Sequence, residues 1–495
     1  MNMKLTLNNL FFPITFISGF TSLVFYSNPI IMGLLIGLQC CILLISLYKG
    51  KNEAFICYFT IFVIMGQEFA YFLDADISKV TMYSFKETRI AGLNLALVFC
   101  LLFFAKLIFV DKALSIINLK KNYIYLFKWM LFIVMSGIIM GCFNVFTNNN
   151  GIKALPGIWT ELFSEASYGV FVLALFFSYV YTLRQYGCER IEKCLLAIVL
   201  CNLLVPFAAN LLGVVGAYGG KEMYLTFSAY LLCTIVIIFP CFKKYASKAK
   251  YIYAFWAVGV AYPLLFESIA YGKLLLIVFA SIILFLYYKS YINAKWLLVT
   301  SVLFVCMLFL WKNVVEFLTE NNDLFGYKYK QVLSLISFWK EGWYEQMLPS
   351  PKVRITEFAN IFLELVQNPF YFLFGKGYLG TCRDYMQAIK SYDLSVYSLN
   401  EFEIGAFYGM HESINIFFLA NGICGIMFLL RYIKTFINGF RKSPWIVIGG
   451  VWLVFLWGYS VTRATLGVAC LCVGLYQISI QEGKVRNGHE KGTNY

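Results

Sequence analysis

The chain has 495 residues, of which 61% are hydrophobic and only 13% are charged. A soluble core cannot bury so much apolar surface, so the composition excludes a soluble globular protein and indicates an all-α, polytopic integral membrane protein. The net charge is +14, but the basic residues lie in short alternate loops, which favours a role in membrane topology over nucleic-acid binding. The 15 cysteines lie mostly in apolar stretches without metal-ligand spacing, and no metal or other cofactor is expected.

Apolar stretches of about 20 residues, the length that crosses a bilayer as a helix, recur along the chain. They predict about fourteen membrane spans, about eleven in residues 1–312 and about three in residues 413–480. The stretches around Tyr168–Leu183 and Leu274–Tyr288 are short, which leaves open a different tilt or a merger with a neighbouring span. The approximate centres of the spans are Phe16, Gln39, Ile64, Phe99, Met135, Leu175, Leu203, Leu231, Val258, Ile282, Val305, Leu419, Leu453 and Val473.

The Lys and Arg residues gather in alternate loops, which the positive-inside rule assigns to the cytoplasm. Both termini, including a polar tail at residues 481–495, are then cytoplasmic. The long loop at residues 313–412 lies on the opposite face. Loops of this length are usually functional or disordered, and the aromatic content of this one predicts a folded cap on the membrane.

One helix of this cap is predicted near residues 351–367, with a Ser-Pro start and an Asn-Pro end. Its apolar residues form a stripe with a period of about 3.6, at Ile355, Phe358, Ala359, Phe362, Leu363 and Val366. Arg354, Glu357 and Glu364 lie away from the stripe, so we expect an amphipathic helix on the membrane surface or on the helix bundle. Two roles are open for Arg354: pairing with Glu357, or clamping a phosphate with its planar guanidinium.

Other candidate positions combine glycine with a cation. Residues 375–380 match G-x-G-x-x-G, but no βαβ unit surrounds them, so a turn that brings Gly375 and Gly377 close to a ligand or lipid is favoured over a dinucleotide site. Lys221 and Lys273 each follow a glycine at an outer helix end. They either extend to the membrane interface or bind a lipid-linked pyrophosphate.

His411 is the most informative residue, because the only other histidine, His489, lies in the polar tail. His411 directly precedes a predicted helix, whose dipole favours a neutral ring that can accept a proton. Asn415, one turn later, is placed to hold the ring or a ligand. The alternative is an interfacial histidine that is hydrogen-bonded to a loop.

These positions together resemble the O-antigen polymerase and O-antigen ligase superfamily of bacterial envelope enzymes. That pattern has two basic residues at outer helix ends, then a long periplasmic loop with an Arg, a helix, an Asn-Pro turn, a G-x-G and a His, then a span with paired glycines. It appears here at Lys221, Lys273, Arg354, Asn368-Pro369, Gly375-Lys376-Gly377, His411 and Asn421-Gly422-Ile423-Cys424-Gly425. The resemblance covers roughly residues 200–430, and the first two basic positions are Lys where the family usually has Arg.

The resemblance implies a fold like that of the type C glycosyltransferases, in the bacterial cytoplasmic membrane with a periplasmic active site. It implies an enzyme that transfers a glycan from undecaprenyl pyrophosphate to the hydroxyl of a second lipid-linked repeat, with a chain-length regulator as a further partner. His411 and Arg354 would be catalytic, and no metal would be needed. Substrate binding would fall to Lys221, Lys273, Arg354, Gly375, Gly377 and Asn415.

A polymerase is favoured over a ligase, which would move the glycan to lipid A-core. A flippase for lipid-linked oligosaccharides is a third possibility. It is less favoured because transporters tend to have charges near the bilayer midplane and internal repeats. Here the candidate charges lie at the predicted outer rim and no repeat is detectable.

Overall fold

The computed structural model describes the helices that carry Glu357 and lie next to His411. The described residues are 7–25, 28–66, 84–86, 88–90, 93–113, 121–147, 157–212, 242, 244–250, 253, 299, 334, 341–389, 397, 399–439, 441–458 and 460–492. They belong to two compact units, Met1–Cys201 with Glu357–Tyr495, and Asn202–Thr356. Outside the described residues lie Lys221, Lys273 and the predicted span centres Leu231, Val258, Ile282 and Val305.

The described elements are almost all helices. In chain order they are α1 (Leu7–Val24), α2 (Pro29–Tyr48), α3 (Asn52–Ile64), α4 (Leu95–Phe109), α5 (Lys121–Thr147), α6 (Ile158–Tyr186), α7 (Glu189–Leu211), α8 (Trp343–Gln346), α9 (Pro349–Val366), α10 (Pro369–Phe374), α11 (Leu399–Ile404), α12 (Ser413–Gly439), α13 (Trp445–Phe455) and α14 (Val461–Gly492). A 3-10 turn covers Ala246–Lys248. Two antiparallel pairs of short strands complete the set: β1 (Arg89–Ile90) with β2 (Leu93–Asn94), and β3 (Cys382–Arg383) with β4 (Ala406–Phe407).

The chain is an all-α, multi-pass membrane protein, as the composition predicts. Among the described residues, six helices are long and apolar enough to cross a bilayer: α2, α5, α6, α7, α12 and α14. Helices α1, α3, α4 and α13 are shorter and also apolar. The prediction of a short span at Tyr168–Leu183 was wrong, because this stretch belongs to the 29-residue α6. Glu161 and Glu165, in the first turns of α6, lower the local hydropathy and conceal the start of the helix.

Ion pairs and hydrogen bonds link residues of the basic loops at one end of the helices. Glu53 at the start of α3 pairs with Arg190 at the start of α7, at 2.6 Å. Lys106 near the end of α4 pairs with Asp111 at 2.9 Å, and Asn52 is hydrogen-bonded to both. Trp445, just beyond the end of α12, donates to Glu192 of α7 at 3.0 Å, so α12 ends on the side of Arg190. His411 precedes the start of α12 and therefore lies at the other end of the helices, called here the His411 end.

Helix α9 buries its polar side and exposes its apolar side. Within the first unit, Glu357, Asn360, Ile361 and Leu365 have no exposed surface. The exposed side carries most of the predicted apolar stripe, with Phe358, Phe362, Leu363 and Val366 between 38% and 50% exposed. Glu357 lies away from the stripe, as expected, but its side of the helix is the one that the protein covers.

Candidate functional site

Glu357 and His411 form a hydrogen-bonded pair at the His411 end. Glu357 lies on α9, and His411 lies two residues before α12 begins. The distance from Nδ1 of His411 to Oε1 of Glu357 is 2.5 Å, and the backbone N–H of His411 donates to Oε2 at 3.1 Å. The carboxylate has no exposed surface, whereas the imidazole is 17% exposed. The pair therefore presents only its histidine ring to a substrate.

Two further side chains donate hydrogen bonds to the carboxylate of Glu357. The hydroxyl of Tyr397 donates to Oε1 at 2.6 Å, and Nδ2 of Asn415 donates to Oε2 at 2.9 Å. Burial, together with the charge of Glu357, raises the pKa of Tyr397, so this phenol stays protonated and able to donate. Asn415 thus binds the carboxylate that holds His411, and its role in holding the ring or a ligand stays a prediction.

This set of donors fixes the chemistry that His411 can perform. An ionised carboxylate only accepts hydrogen bonds, so we assign the proton of a neutral His411 ring to Nδ1. Nε2 then carries the lone pair and is able to accept a proton. The ring of Tyr397 packs edge-on against the imidazole, with 6.0 Å between the ring centroids. A histidine whose Nδ1 is held by a carboxylate is the arrangement of a general base.

The polar side of α9 holds further segments of the loop on successive turns. Nδ2 of Asn360 donates to Asp384 at 3.1 Å, and its Oδ1 accepts the backbone N–H of Met386 at 3.0 Å. One turn on, Glu364 pairs with Lys376 at 2.5 Å. Loop residues and His411 therefore bind to the same side of α9, which carries Glu357.

The pair of Glu364 and Lys376 is almost sealed from solvent. Their side chains are 13% and 6% exposed, and Nζ of Lys376 also donates to the carbonyl of Thr381 at 2.9 Å. Burial by itself would raise the pKa of Glu364. The hydrogen bond and charge of Lys376, together with the hydroxyl of Tyr385, outweigh burial and hold this pKa below its ordinary value. The cation of the G-x-G turn is therefore neutralised within the protein.

The G-x-G turn completes a broken membrane helix. Gly422 interrupts α12 with φ 59° and ψ −146°. Such a break frees carbonyls on the preceding turn, which need donors inside the bilayer. The backbone N–H groups of Lys376 and Gly377 supply them, donating to the carbonyls of Leu419 at 2.8 Å and Ala420 at 2.9 Å.

The two glycines of this turn lie against backbone. A Cβ at Gly377 would overlap the backbone of Met140 and Gly141 in α5. One at Gly375 would overlap the backbone at the junction of Ala420 and Asn421 in α12. The close backbone approach expected of this turn is thus made to the protein's own helices, and substrate binding by Gly375 and Gly377 stays a prediction.

Two cations at the His411 end were missed by sequence reasoning. Lys86 is only 5% exposed, and its Nζ donates to Oγ1 of Thr462 at 2.8 Å, in the first turn of α14. Arg463 follows directly, in the same first turn of α14. Both cations lie in loops that the predicted topology assigns to the same face as Lys221 and Lys273. Neither directly follows a glycine, as Lys221 and Lys273 do.

Lys86 and Arg463 form a basic corner, which lies near the start of α12. The backbone N–H of Trp457 donates to Oγ of Ser413 at 2.8 Å, and Ser413 is two residues from His411. The indole of Trp457 packs edge-on against Tyr168, with 5.6 Å between the ring centroids. The corner and the Glu357–His411 pair therefore belong to one end of one unit.

The other predicted site residues have different outcomes. His411 and Asn415 are brought together on Glu357. Arg354 lies on α9 but belongs to the second unit. Within the described residues, no group of three or more His, Cys, Asp or Glu side chains is arranged to hold a metal ion.

No family model, no curated protein and no solved structure matches the chain.

Proposed function

We propose that the chain is a membrane-embedded glycosyltransferase that polymerises oligosaccharide repeats carried on undecaprenyl pyrophosphate, for O-antigen or another surface polysaccharide. The observation that carries this proposal is the His411 ring held by the buried carboxylate of Glu357 at one end of the membrane helices, at 2.5 Å. A transfer to a sugar hydroxyl needs a base for that hydroxyl, and Nε2 of His411 meets the requirement.

In this mechanism the acceptor hydroxyl attacks the anomeric carbon of the donor glycan. Its proton moves to Nε2 of His411 as the new glycosidic bond forms. The bond between the anomeric carbon and the pyrophosphate oxygen breaks, and undecaprenyl pyrophosphate leaves with the electron pair. Glu357 is a positioning residue, which keeps the Nδ1 proton in place and stabilises the imidazolium that forms.

Cations are needed to neutralise the leaving pyrophosphate. Arg354, Lys221 and Lys273 have this role in the family resemblance. Lys86 and Arg463 are further candidates, because both are cations in the same unit and at the same end of the helices as His411. With such cations the leaving group can depart without a metal ion.

We further propose about fourteen spans in a fold like that of the type C glycosyltransferases, within the bacterial cytoplasmic membrane. The termini would be cytoplasmic and His411 periplasmic. The gathering of basic loops at the end opposite His411 supports this orientation, because such loops stay in the cytoplasm.

The test uses the purified chain in lipid vesicles with undecaprenyl-pyrophosphate-linked repeats, with and without lipid A-core, and with a chelator present. The proposal expects glycan chains of many repeats on the undecaprenyl lipid in both mixtures. Transfer only to lipid A-core would identify a ligase instead. Movement of intact lipid-linked repeats across the bilayer without a new glycosidic bond would identify a flippase.

A further inference from the structure

The side of α9 and α10 that points away from the protein is strongly apolar. We call this surface the exposed α9–α10 face. It consists of Phe358, Phe362, Leu363, Val366, Phe370 and Leu373, each between 38% and 50% exposed. A cluster of large exposed apolar side chains on a folded surface marks an interaction site. The structure offers three observations on what covers it.

The first observation concerns the depth of this face in the membrane. The ring of Phe358 stacks on Phe418 of the membrane helix α12, with 5.3 Å between centroids, and Phe372 packs edge-on against the same ring at 6.4 Å. Phe418 lies five residues beyond the first residue of α12, which is about 7.5 Å along the helix axis. Interfacial helices bury their apolar side to a depth of about 5–10 Å. The exposed α9–α10 face thus lies at the level where acyl chains begin.

The second observation is continuity with a surface that must face lipid. The hydroxyl of Tyr371 on α10 donates to Oδ1 of Asn144 at 2.7 Å. Asn144 is one turn from the end of the membrane helix α5, whose flanking residues Phe143 and Phe146 are 49% and 71% exposed. The exposed α9–α10 face therefore lies beside the bilayer-facing surface of α5.

The third observation is the turn that follows α10. Gly375 packs against Asn421, which is eight residues or about 12 Å into α12. Irregular backbone at that depth is tolerated only where protein surrounds it. Residues 375–382 are all buried, so this turn meets the condition.

From these observations we infer that α9, α10 and the turn at residues 375–382 form a re-entrant element, whose exposed α9–α10 face binds the acyl chains of the leaflet at the His411 end. This inference goes beyond the proposed function and holds whether or not the chain transfers a glycan. One consequence is that the Glu357–His411 pair lies at the membrane interface, within reach of a headgroup that diffuses in the leaflet.

The test replaces single residues with photoreactive p-benzoylphenylalanine. Phe362 and Phe370 report on α9 and α10, Phe146 on the bilayer-facing side of α5, and Glu403 on an exposed charged position of α11. Each variant is reconstituted in vesicles of phosphatidylethanolamine and phosphatidylglycerol, without any polyprenyl lipid, irradiated and analysed by mass spectrometry. Two probe positions are used so that one poorly inserted variant does not decide the result.

The inference expects phospholipid adducts at positions 362, 370 and 146, and none at position 403. The same adducts are expected in a His411→Ala background, because acyl contact does not depend on catalysis. Adducts at 146 alone would overturn the inference. Cross-links from 362 and 370 to another part of this chain, or to a second copy, would also overturn it by showing that protein covers the face. Adducts that form only after a polyprenyl phosphate is added would assign the face to the substrate's tail instead of the bilayer.

Discussion

At Glu357, four hydrogen-bond donors from Tyr397, His411 and Asn415 meet one carboxylate that has no exposed surface. Both carboxylate oxygens accept hydrogen bonds, so a replacement for Glu357 must match its shape as well as its charge. This explains why a single substitution at Glu357 is expected to alter the function of a neighbouring residue.

Glu357→Gln should therefore inactivate the site. The amide nitrogen of Gln can donate to Nδ1 of His411 and favour the tautomer whose Nε2 is protonated, which removes the base. We expect the turnover of lipid-linked repeats to fall by about 10²–10⁴-fold, with little change in the KM for the donor. Combining this change with His411→Ala should lower activity little further, because the two residues act as one unit.

The matched control is Glu403→Gln, at an exposed carboxylate of α11. It should keep the turnover of the unmodified chain. A Glu357→Gln protein with turnover within a few-fold of that control would remove Glu357 from the mechanism.

The buried pair of Glu364 and Lys376 makes a prediction about stability. Removing one partner leaves an uncompensated buried charge, so Glu364→Gln or Lys376→Met alone should cost about 3–5 kcal/mol of unfolding free energy. The double change Glu364→Leu with Lys376→Met should be much closer to the unmodified protein, because apolar pairs often replace buried ion pairs at little cost. Denaturation in detergent measures all three, and equal losses in the single and double variants would contradict the account.

The pH dependence of this pair follows from the lowered pKa of Glu364. A carboxyl whose folded pKa lies below its unfolded value stabilises the fold at pH above the unfolded value. That contribution is lost as the pH falls below the ordinary value of 4.5 towards the folded pKa. The difference in Tm between the unmodified chain and Glu364→Gln should therefore be constant near neutral pH and shrink in this acidic range. A difference that persists unchanged at pH about 3 would show that the carboxylate charge contributes nothing.

At the scale of elements, the turn after α10 depends on the absence of a side chain at Gly377. Its φ is +77°, and a Cβ would overlap backbone atoms of α5, which cannot move aside as a side chain can. Gly405 has a similar φ of +70° but open space around the same position.

Comparing alanine at these two glycines separates backbone strain from steric overlap. Gly405→Ala should cost only the strain of a left-handed conformation, about 1–2 kcal/mol. Gly377→Ala should cost clearly more and lower the yield of inserted protein. Thermal unfolding in detergent measures the two changes, and equal losses of stability would contradict the packing of this turn against α5.

Helix α9 shows where reasoning from sequence succeeded and where it failed. Its location follows from the Ser-Pro start and the Asn-Pro end, and the structure has the helix at Pro349–Val366. The apolar stripe alone left open whether it faces the helix bundle or the membrane surface, because apolar periodicity marks a buried side in a soluble protein and can mark a lipid-facing side in a membrane protein. The informative pattern was instead polar: Glu357, Asn360 and Glu364 recur with a helical period on the side that the protein buries.

His411 and Glu357 differ in how easily they are identified from the sequence, for a related reason. His411 could be found from sequence because histidine is rare in this chain and precedes a helix. Glu357 is separated from it by 54 residues, and only the fold of the intervening loop brings the two together. Tyr397 was hidden in the same way among 35 tyrosines.

At the scale of the whole molecule, hydropathy predicted the described spans well, because each must satisfy its backbone within the bilayer and offer an apolar surface to it. Ten of the predicted span centres fall inside described apolar helices. Polar networks between loops could not be predicted in this way, since they depend on tertiary contacts such as that between Lys86 and Thr462, which are 376 residues apart.

The positive-inside rule makes a prediction about topology. Single cysteines near Lys330 and Tyr392, in a background without other accessible thiols, should react with an impermeant maleimide in intact cells. A cysteine near Arg486 should react only after the cells are opened. Labelling of the tail but not of the loop in intact cells would reverse the orientation and remove the periplasmic assignment of His411.

The measurement that tests the central claim most directly compares the two histidines of the chain. His411→Ala and His489→Ala proteins, purified and reconstituted in parallel, are supplied with undecaprenyl-pyrophosphate-linked repeats in the presence of a chelator. We expect His489→Ala to build long glycan chains and His411→Ala to be about 10²–10⁴-fold slower, with the single lipid-linked repeat left unextended. A His411→Ala protein that builds chains at the rate of His489→Ala would contradict the account.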